Sequence, residues 1–268
     1  MFASADQSAS EQQLTYQVEQ HVAWVIIDRP DRINALTKAM MQRLTELAER
    51  AHHDPDVRVM AICATGTRGF CAGRDLKERP APGADHETVH TPMRGTQRNM
   101  FEAVLECGKP TVAGIFGHTL GAGAELALAC DVLIAAEDLR FGLPEAKLGL
   151  GATFATQMLP RIVPRSVAFD LLYTARTMDA TEALARGLVC RVVARDSLDD
   201  AVREWTKVVA ANAPLSTRRY KAMIARGLDL PIAAALRLDV GPDPYLSSDR
   251  DEGRAAWTQK RPPEWRGR

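Results

Sequence analysis

The sequence predicts an α/β fold that is followed by a helical C-terminal part. Strand-like and helix-like segments alternate through roughly the first 150 of the 268 residues, whereas the pattern from Thr153 onward is mostly helical. A unit of two strands followed by a helix also recurs in the first half, as expected of a chain that winds as a spiral. A chain of this length forms one large domain or two small ones, with a sizeable buried core.

The first half of the chain contains apolar runs that are typical of strands. They are Leu14–Gln20, Val22–Arg29, Val57–Thr65, Lys109–Phe116 and Asp131–Asp138. Pro30 ends the second strand, because proline cannot donate to a strand ladder. Thr37 caps a helix that runs to about Ala51, in which apolar side chains recur every three or four residues. A short helix of small residues is predicted over Gly121–Cys130.

The remaining segments set the predicted domain boundaries. The polar stretch Leu76–Asn99 is rich in proline and glycine and predicts a long loop that leads into a helix. Beyond Thr153 we expect helices with one short strand around Leu188–Val193. The organisation predicted is a disordered tail over 1–12, an α/β core over 13–200 and a helical region over 201–268.

Composition and charge exclude several classes of function. Lysine and arginine together number 34, as do aspartate and glutamate, so the zero net charge gives no support to a nucleic-acid partner. No apolar run approaches the ~18 residues of a membrane span, and the polar start lacks the features of a secretory signal. The five cysteines include no CxxC pair, so we expect neither a metal site nor a disulfide framework, and a cytoplasmic protein.

The stretch Gly121–Ala124 opens a predicted helix with almost no side chains. Small residues let a ligand approach the backbone closely, and the free N–H groups of a first helical turn suit a developing negative charge. Glu125 follows among alanines and leucines, where partial desolvation would raise its pKa and make it a general acid or base. The alternative is that Glu125 lies on the solvated side of an amphipathic helix.

Two further segments carry candidate chemistry. Glu145 follows Pro144, and it is either a second functional carboxylate or an ordinary acidic residue at a helix N-terminus. The sequence leaves open whether Glu125 and Glu145 converge on one pocket. The glycine-containing segment Arg68–Leu76 follows a buried strand, a common place for backbone that contacts a ligand.

Four segments of the chain match one known family in order and in spacing. They are RPDRINAL (Arg29–Leu36), GFCAGRDLKE (Gly69–Glu78), the long stretch Lys109–Gly149, and the terminal EGRAAWTQKRPPEWRGR. These resemble the motifs RPxxxNAL, FxAGxDLKE, KPxIAAVxGxAxGGGxELALACDxxIAxxxAxFGxPExxLG and EGxxAFxEKRxPxFxGR of the crotonase family, the enoyl-CoA hydratase/isomerase superfamily. The resemblance covers roughly residues 12 to 268. It implies a crotonase-type spiral of ββα units with a helical C-terminal trimerisation region.

The resemblance also implies roles for individual residues. The thioester oxygen of an acyl-CoA would lie between the backbone N–H groups of Ala72 and Ala122, which stabilise an enolate. Glu125 would activate water and Glu145 would exchange the Cα proton, which adds water to a 2-enoyl-CoA. Substrate-binding positions carried over are Arg32, Ala72, Arg74, Asp75, Leu76, Gly121 and Lys260. No metal or redox cofactor is implied, because CoA is part of the substrate.

The last expectations concern the oligomeric state and the alternative functions. The resemblance implies a homotrimer or hexamer, with Trp257 and Trp265 anchoring partner contacts. Other acyl-CoA chemistry, such as enoyl-CoA isomerisation, and a non-catalytic binding role remain alternatives.

The segment Leu150–Arg161 departs from the family's usual TIPGxGGTQRLPR and lacks its Pro-Gly. We therefore expect Phe154 to reshape the space beyond Cβ and to favour an acyl group other than crotonyl.

Overall fold

A six-stranded sheet forms the centre of the molecule in the computed structural model, which describes residues 13–78 and 98–268. The nine strands of the described chain are β1 (Leu14–Glu19), β2 (Val22–Ile27), β3 (Val59–Ala64), β4 (Thr111–Ile115), β5 (His118–Leu120), β6 (Val132–Ala136), β7 (Arg140–Gly142), β8 (Thr177–Asp179) and β9 (Arg191–Val193). The central sheet has the order β1-β2-β3-β4-β6-β9, in which only the β1–β2 pair is antiparallel.

Helices connect the parallel strands and fill the C-terminal part. They are α1 (Lys38–His53), α2 (Met100–Leu105), α3 (Ala122–Leu128), α4 (Thr153–Ile162), α5 (Arg165–Thr174), α6 (Ala180–Ala185), α7 (Leu198–Ala210), α8 (Pro214–Gly227), α9 (Ile232–Ala235) and α10 (Ser248–Gln259). Thr37 caps α1 as predicted, since its side chain accepts a hydrogen bond from the Met40 N–H. Short 3₁₀ turns lie at Pro30–Arg32 and Pro144–Leu148.

The central strands are buried because their sequences are apolar on both faces. VAWVII of β2 and VMAICA of β3 run parallel, with Val22 opposite Val59 and Ile27 opposite Ala64. Continuous apolar runs of this kind are typical of parallel strands that are covered on both sides. The carboxyl ends of β3 and β4 lead into the segments around Cys71 and His118, which build the candidate site.

A second, three-stranded sheet was missed by the sequence analysis. β5 and β7 pair in parallel and β8 joins β7 antiparallel, with Phe141 opposite Thr119 and Met178. Each strand has three residues, which is too short for an alternating pattern to be recognised. The prediction of one short strand beyond Thr153 was therefore wrong, because β8 precedes β9. The ββα recurrence is confirmed by β4-β5-α3 and by β6-β7-α4.

Buried polar contacts hold the C-terminal segment to the core. The Arg58 guanidinium donates to the carbonyls of Ala210 and Trp265 at 3.0 Å each, and the buried carboxylate of Asp249 accepts from the backbone N–H groups of Arg266 and Gly267. The Trp265 indole N–H donates to the Ala211 carbonyl within the chain, and the expectation that Trp265 anchors a partner contact stays a prediction.

Several sequence-based expectations lie outside the described residues or stay predictions. The proposed tail over 1–12 and most of the loop, residues 79–97, lie outside the described chain. The boundary between a core over 13–200 and a helical region over 201–268 stays a prediction, although helices α7 to α10 do occupy most of 198–259. Over residues 13–78 and 98–268, no helix has the length and apolarity needed to cross a membrane.

Candidate active site

Within the turn Cys71–Asp75, which follows β3, every backbone N–H group except one has an acceptor among the described residues. The Ala72 N–H donates to the carbonyl of Ile33 at 2.9 Å, so it is not available to a substrate. The Arg74 N–H, two residues later, has no acceptor in the described part of the chain. The choice of Ala72 as an oxyanion donor is therefore corrected: the free donor of this turn belongs to Arg74.

Gly73 allows this turn to approach the start of α3. Its φ of +100° lies in the region that favours glycine, and a Cβ there would lie 3.0 Å from the Leu120 carbonyl oxygen and 3.3 Å from the Ala122 nitrogen. Ala122 is the first residue of α3, so its N–H has no acceptor within the helix. The free N–H groups of Arg74 and Ala122 thus belong to two backbone segments in close contact.

Glu125 lies one turn into α3 and is buried, with 5% of its surface exposed. Its Oε1 accepts a hydrogen bond from the Ala155 N–H at 2.9 Å. That N–H belongs to the first turn of α4, whose preceding residue, Ala152, supplies no side-chain cap. Glu125 therefore caps α4 from another helix, and the interpretation that placed it on a solvated face is wrong.

Burial is the main cause that raises the pKa of Glu125 to about 7, and the negative charge of Glu145 contributes to this shift. The backbone N–H groups of Ala155 and Phe154 act in the opposite direction, because they stabilise the carboxylate. A carboxyl group with a pKa near neutrality can both accept and donate a proton under physiological conditions.

Glu145 lies in the Pro144–Leu148 turn and points back towards α3. A Cβ on Gly121 would lie 3.1 Å from Glu145 Oε1, so Gly121 leaves room for this carboxylate. The Oε2 atom is buried and has no hydrogen-bond partner among residues 13–78 and 98–268, and burial raises the pKa of the carboxyl group. The structure thus brings Glu125 and Glu145 together at the free end of α3, which the sequence alone left open.

An apolar cavity of about 510 Å³ lies beside Glu145. It lies between α4 and α5, and its lining includes Leu143, Leu150, Arg165, Phe169, Leu172 and Tyr173. Sequence reasoning missed the five α5 residues of this lining, because no motif covers them and their spacing is that of an ordinary amphipathic helix.

Phe154 does not shape this cavity, contrary to the sequence-based expectation. Its ring is buried and stacks on Phe101 with 5.1 Å between the ring centroids. The contact anchors the start of α4 to α2. Phe154 therefore supports the helix that holds Glu125, while Leu150 and α5 shape the space beside Glu145.

The other predicted binding residues fall into two groups. Asp75 forms an ion pair with Arg29 at 2.7 Å, which holds the pKa of its carboxyl group below the usual value, so its side chain supports the turn. The exposed residues are Arg32, Arg74, Leu76 and Lys260. Of these, Lys260 lies apart in sequence, at the end of α10, which packs against the Pro244–Leu246 turn.

We expect the raised pKa of Glu125 to make stability depend on pH. A carboxyl group that binds its proton more tightly when folded contributes stability below its unfolded pKa of 4.5, and this contribution is lost as the pH rises through about 7. Glu125→Gln does not titrate, so its free energy of unfolding should gain about 3 kcal/mol relative to the parent between pH 4.5 and 7.5. Denaturant unfolding of both proteins across this range measures the difference. A difference independent of pH would contradict the raised pKa.

Comparison with known proteins establishes the family of this chain. A family model described as enoyl-CoA hydratase/isomerase matches residues 17–268. The chain is 36% identical over 260 residues to the (E)-benzylidenesuccinyl-CoA hydratase of Thauera aromatica, covering 95% of this chain and 99% of that protein. The chain belongs to the enoyl-CoA hydratase/isomerase family.

Further relatives of this family member extend the comparison. Carnitinyl-CoA dehydratase of Proteus mirabilis is 35% identical over 254 residues, which covers 91% of this chain and 94% of that protein. The crystal structure of an enoyl-CoA hydratase from Bacillus anthracis superimposes with a TM-score of 0.87 at 32% identity, covering 96% of this chain and 100% of that one. The crotonase-type fold is thus confirmed, and the chain is a member of an enzyme family.

Proposed function

We propose that this protein is an enoyl-CoA hydratase-like lyase, which adds water to the double bond of a 2-enoyl-CoA. The observation that carries the proposal is a pair of carboxyl groups, the buried one of Glu125 and the half-buried one of Glu145, near the free N–H groups of Arg74 and Ala122. Hydration needs one group that activates water, one that delivers a proton, and donors for the negative charge that forms between these steps.

The proposed reaction begins with the thioester oxygen between the two N–H groups. Glu125, as carboxylate, takes a proton from water while the water oxygen bonds to Cβ, and the electrons of the double bond move to the thioester oxygen as an enolate. The Arg74 and Ala122 N–H groups stabilise that charge, and a single such donor contributes about 3 kcal/mol. Protonated Glu145 then donates its proton to Cα, which completes the addition of water.

The alternatives differ in what they require of the two carboxyl groups. Isomerisation of an enoyl-CoA moves a proton between carbon atoms and adds no water. Two of the similar proteins are named as a hydratase and a dehydratase, which supports water chemistry over isomerisation. A non-catalytic binding role gives no reason to place two carboxyl groups close enough to interact, at positions where burial raises the pKa of both.

A panel of enoyl-CoA thioesters tests the proposed reaction. We expect loss of the absorbance of the conjugated double bond, with one oxygen from ¹⁸O-labelled water found in the 3-hydroxyacyl product. A shifted double bond without incorporated oxygen would instead identify an isomerase. Binding without conversion of any thioester would favour the non-catalytic role.

The remaining parts of the proposal concern CoA and location. The exposed cationic side chains of Arg32, Arg74 and Lys260 are suited to the CoA phosphates, and we expect no metal or redox cofactor. The five cysteines are free thiols, and Cys63, Cys71, Cys107 and Cys130 are at least partly buried, which supports a reducing, cytoplasmic location.

We also infer a homotrimer or hexamer. Large apolar side chains are exposed along the C-terminal helices, among them Leu228, Ile232, Leu236, Leu246 and Trp257. A monomer rarely exposes so much apolar surface, and closed symmetry would bury it. Light scattering should give three or six times the 29.4 kDa chain mass, whereas a stable monomer at micromolar concentration would contradict the assembly.

A further inference from the structure

The cavity beside Glu145 is a wedge with a catalytic end and a far end. Its two walls, α4 and α5, pack against each other and are joined by Val163 and Pro164 alone. The start of α4 lies at the catalytic end, because the Ala155 N–H binds Glu125. The end of α5 lies there too, since Lys147, in the turn that carries Glu145, donates to the Ala175 carbonyl at 2.9 Å.

The α5 wall changes in chemistry from the catalytic end outward. Tyr173 and Leu172 lie nearest the turn that carries Glu145, Phe169 follows one turn away, and Arg165 lies at the far end. At 1.5 Å per residue, Arg165 and Tyr173 are separated by about 12 Å along the helix. The wall is therefore apolar and aromatic for most of its length and cationic at its tip.

The aromatic side chains of the α5 wall are exposed and can contact a ligand. The rings of Phe169 and Tyr173 lie with their centroids 5.2 Å apart, and 38% and 75% of these residues is exposed. Aromatic rings pair favourably at such separations, so a third ring bound between the helices would extend the existing pair. The volume of about 510 Å³ is within the range that accommodates groups much larger than a four-carbon acyl chain.

Arg165 differs from the other arginines around these helices. Arg161, near the end of α4, pairs with Asp229 at 3.6 Å, and Arg176, just beyond α5, pairs with Glu182 at 2.7 Å. Within residues 13–78 and 98–268, the Arg165 guanidinium has no carboxylate within 4.0 Å, and it lies 5.2 Å from the centre of the Phe169 ring. A guanidinium held over an aromatic wall and free of an acidic partner suits a carboxylate on a ligand.

We propose that the wedge binds an elongated aromatic acyl group with an anionic group at its far end, and that Phe169, Tyr173 and Arg165 select it. This inference rests on the proposed function and names the substrate class of the same site. The reacting Cα and Cβ lie by Glu125 and Glu145, the aromatic ring packs on Phe169 and Tyr173, and the distal carboxylate meets Arg165.

Three 3-hydroxyacyl-CoA thioesters test this proposal, with methyl, phenyl or 4-carboxyphenyl on Cβ. The reaction is followed as dehydration, because conjugation with the ring favours the enoyl product and raises its absorbance. The parent protein should show the highest kcat/KM for the 4-carboxyphenyl compound and the lowest for the methyl compound. Equal values, or a preference for methyl, would overturn the proposal.

Arg165→Gln separates recognition of the carboxylate from recognition of the ring. The variant should lose about tenfold in kcat/KM for the 4-carboxyphenyl compound, because a charge-assisted hydrogen bond is lost. The phenyl and methyl compounds should change less than about twofold. Arg161→Gln is the matched control, since Arg161 is exposed near the same end of the wedge but does not line it. An equal loss for all three compounds would refute a role for Arg165 in selection.

Two further measurements distinguish failure of this inference from failure of the proposed function. Phe169→Ala should weaken both aromatic compounds relative to methyl, while light scattering shows an unchanged mass. A change of mass would instead identify this face as an interface between copies of the chain, which overturns the proposal. If no thioester reacts, the proposed function fails, and calorimetric binding of 4-carboxycinnamoyl-CoA to the parent and to Arg165→Gln still decides whether the wedge takes this class.

Discussion

Glutamine in place of Glu125 or of Glu145 should lower kcat by about 10²-fold or more, the usual range for loss of a general acid or base. Each substitution keeps the size of the side chain and removes its proton chemistry. KM should hardly change, because neither carboxyl group is proposed to bind CoA. Steady-state kinetics with the best enoyl-CoA of the panel measure both quantities.

Glutamine changes the proton chemistry of Glu125 without removing its structural hydrogen bond. The amide oxygen of Glu125→Gln can still accept the hydrogen bond from the Ala155 N–H, so α4 stays capped and the fold is retained. The double variant should lose much less than the product of the two single losses, because the groups act in one transition state. Near-normal turnover by either single variant on every thioester would rule out the paired mechanism.

Proline in place of Ala122 should lower kcat by about 10²- to 10³-fold, the effect of removing one oxyanion donor. Proline has no N–H, and it is well tolerated at the first position of a helix, which Ala122 occupies in α3. Gly121, which has no Cβ, precedes it and reduces the steric restriction that proline places on the preceding residue. Single-turnover rates measure the chemical step directly.

Ala122→Gly controls for the change of side chain, since it keeps the N–H and removes only a methyl group. We expect its kcat to stay within a few-fold of the parent. Circular dichroism and thermal unfolding of Ala122→Pro establish that the helix is intact. A folded Ala122→Pro variant with parent-like kcat would show that the thioester oxygen does not depend on this N–H.

The central sheet and the first helix could be predicted from the sequence because their signals are local. The apolar runs of β2 and β3 and the Thr37 cap of α1 are properties of neighbouring residues. The second sheet could not be predicted in this way. Its strands have three residues each, and the pairing of β7 with β8 joins residues as far apart in the sequence as Arg140 and Asp179.

The sequence predicted only part of the candidate site, because some of its contacts join residues that are distant in the chain. Glu125 and Glu145 lie in distinctive segments, and the resemblance assigned both of them. The identity of the free N–H after β3 depends on whether Ala72 or Arg74 meets the Ile33 carbonyl, a contact between residues distant in the sequence. The role of α5 as a cavity wall could not be predicted either. The spacing of Phe169 and Tyr173 is that of any packed helix, and only the position of α4 beside them shows that they line a cavity.

The hydrogen bond from Ala155 to Glu125 gives the wedge an influence on proton transfer. Helix α4 forms a wall of the cavity, through Thr156 and Pro160, and its Ala155 N–H also lowers the proton affinity that burial gives to Glu125. An acyl group that forces α4 outward therefore lengthens this 2.9 Å contact and alters the base as well as the fit. Under the proposed mechanism, acyl groups are then discriminated in the transition state, and we expect poor substrates to lose turnover number even when they saturate the enzyme.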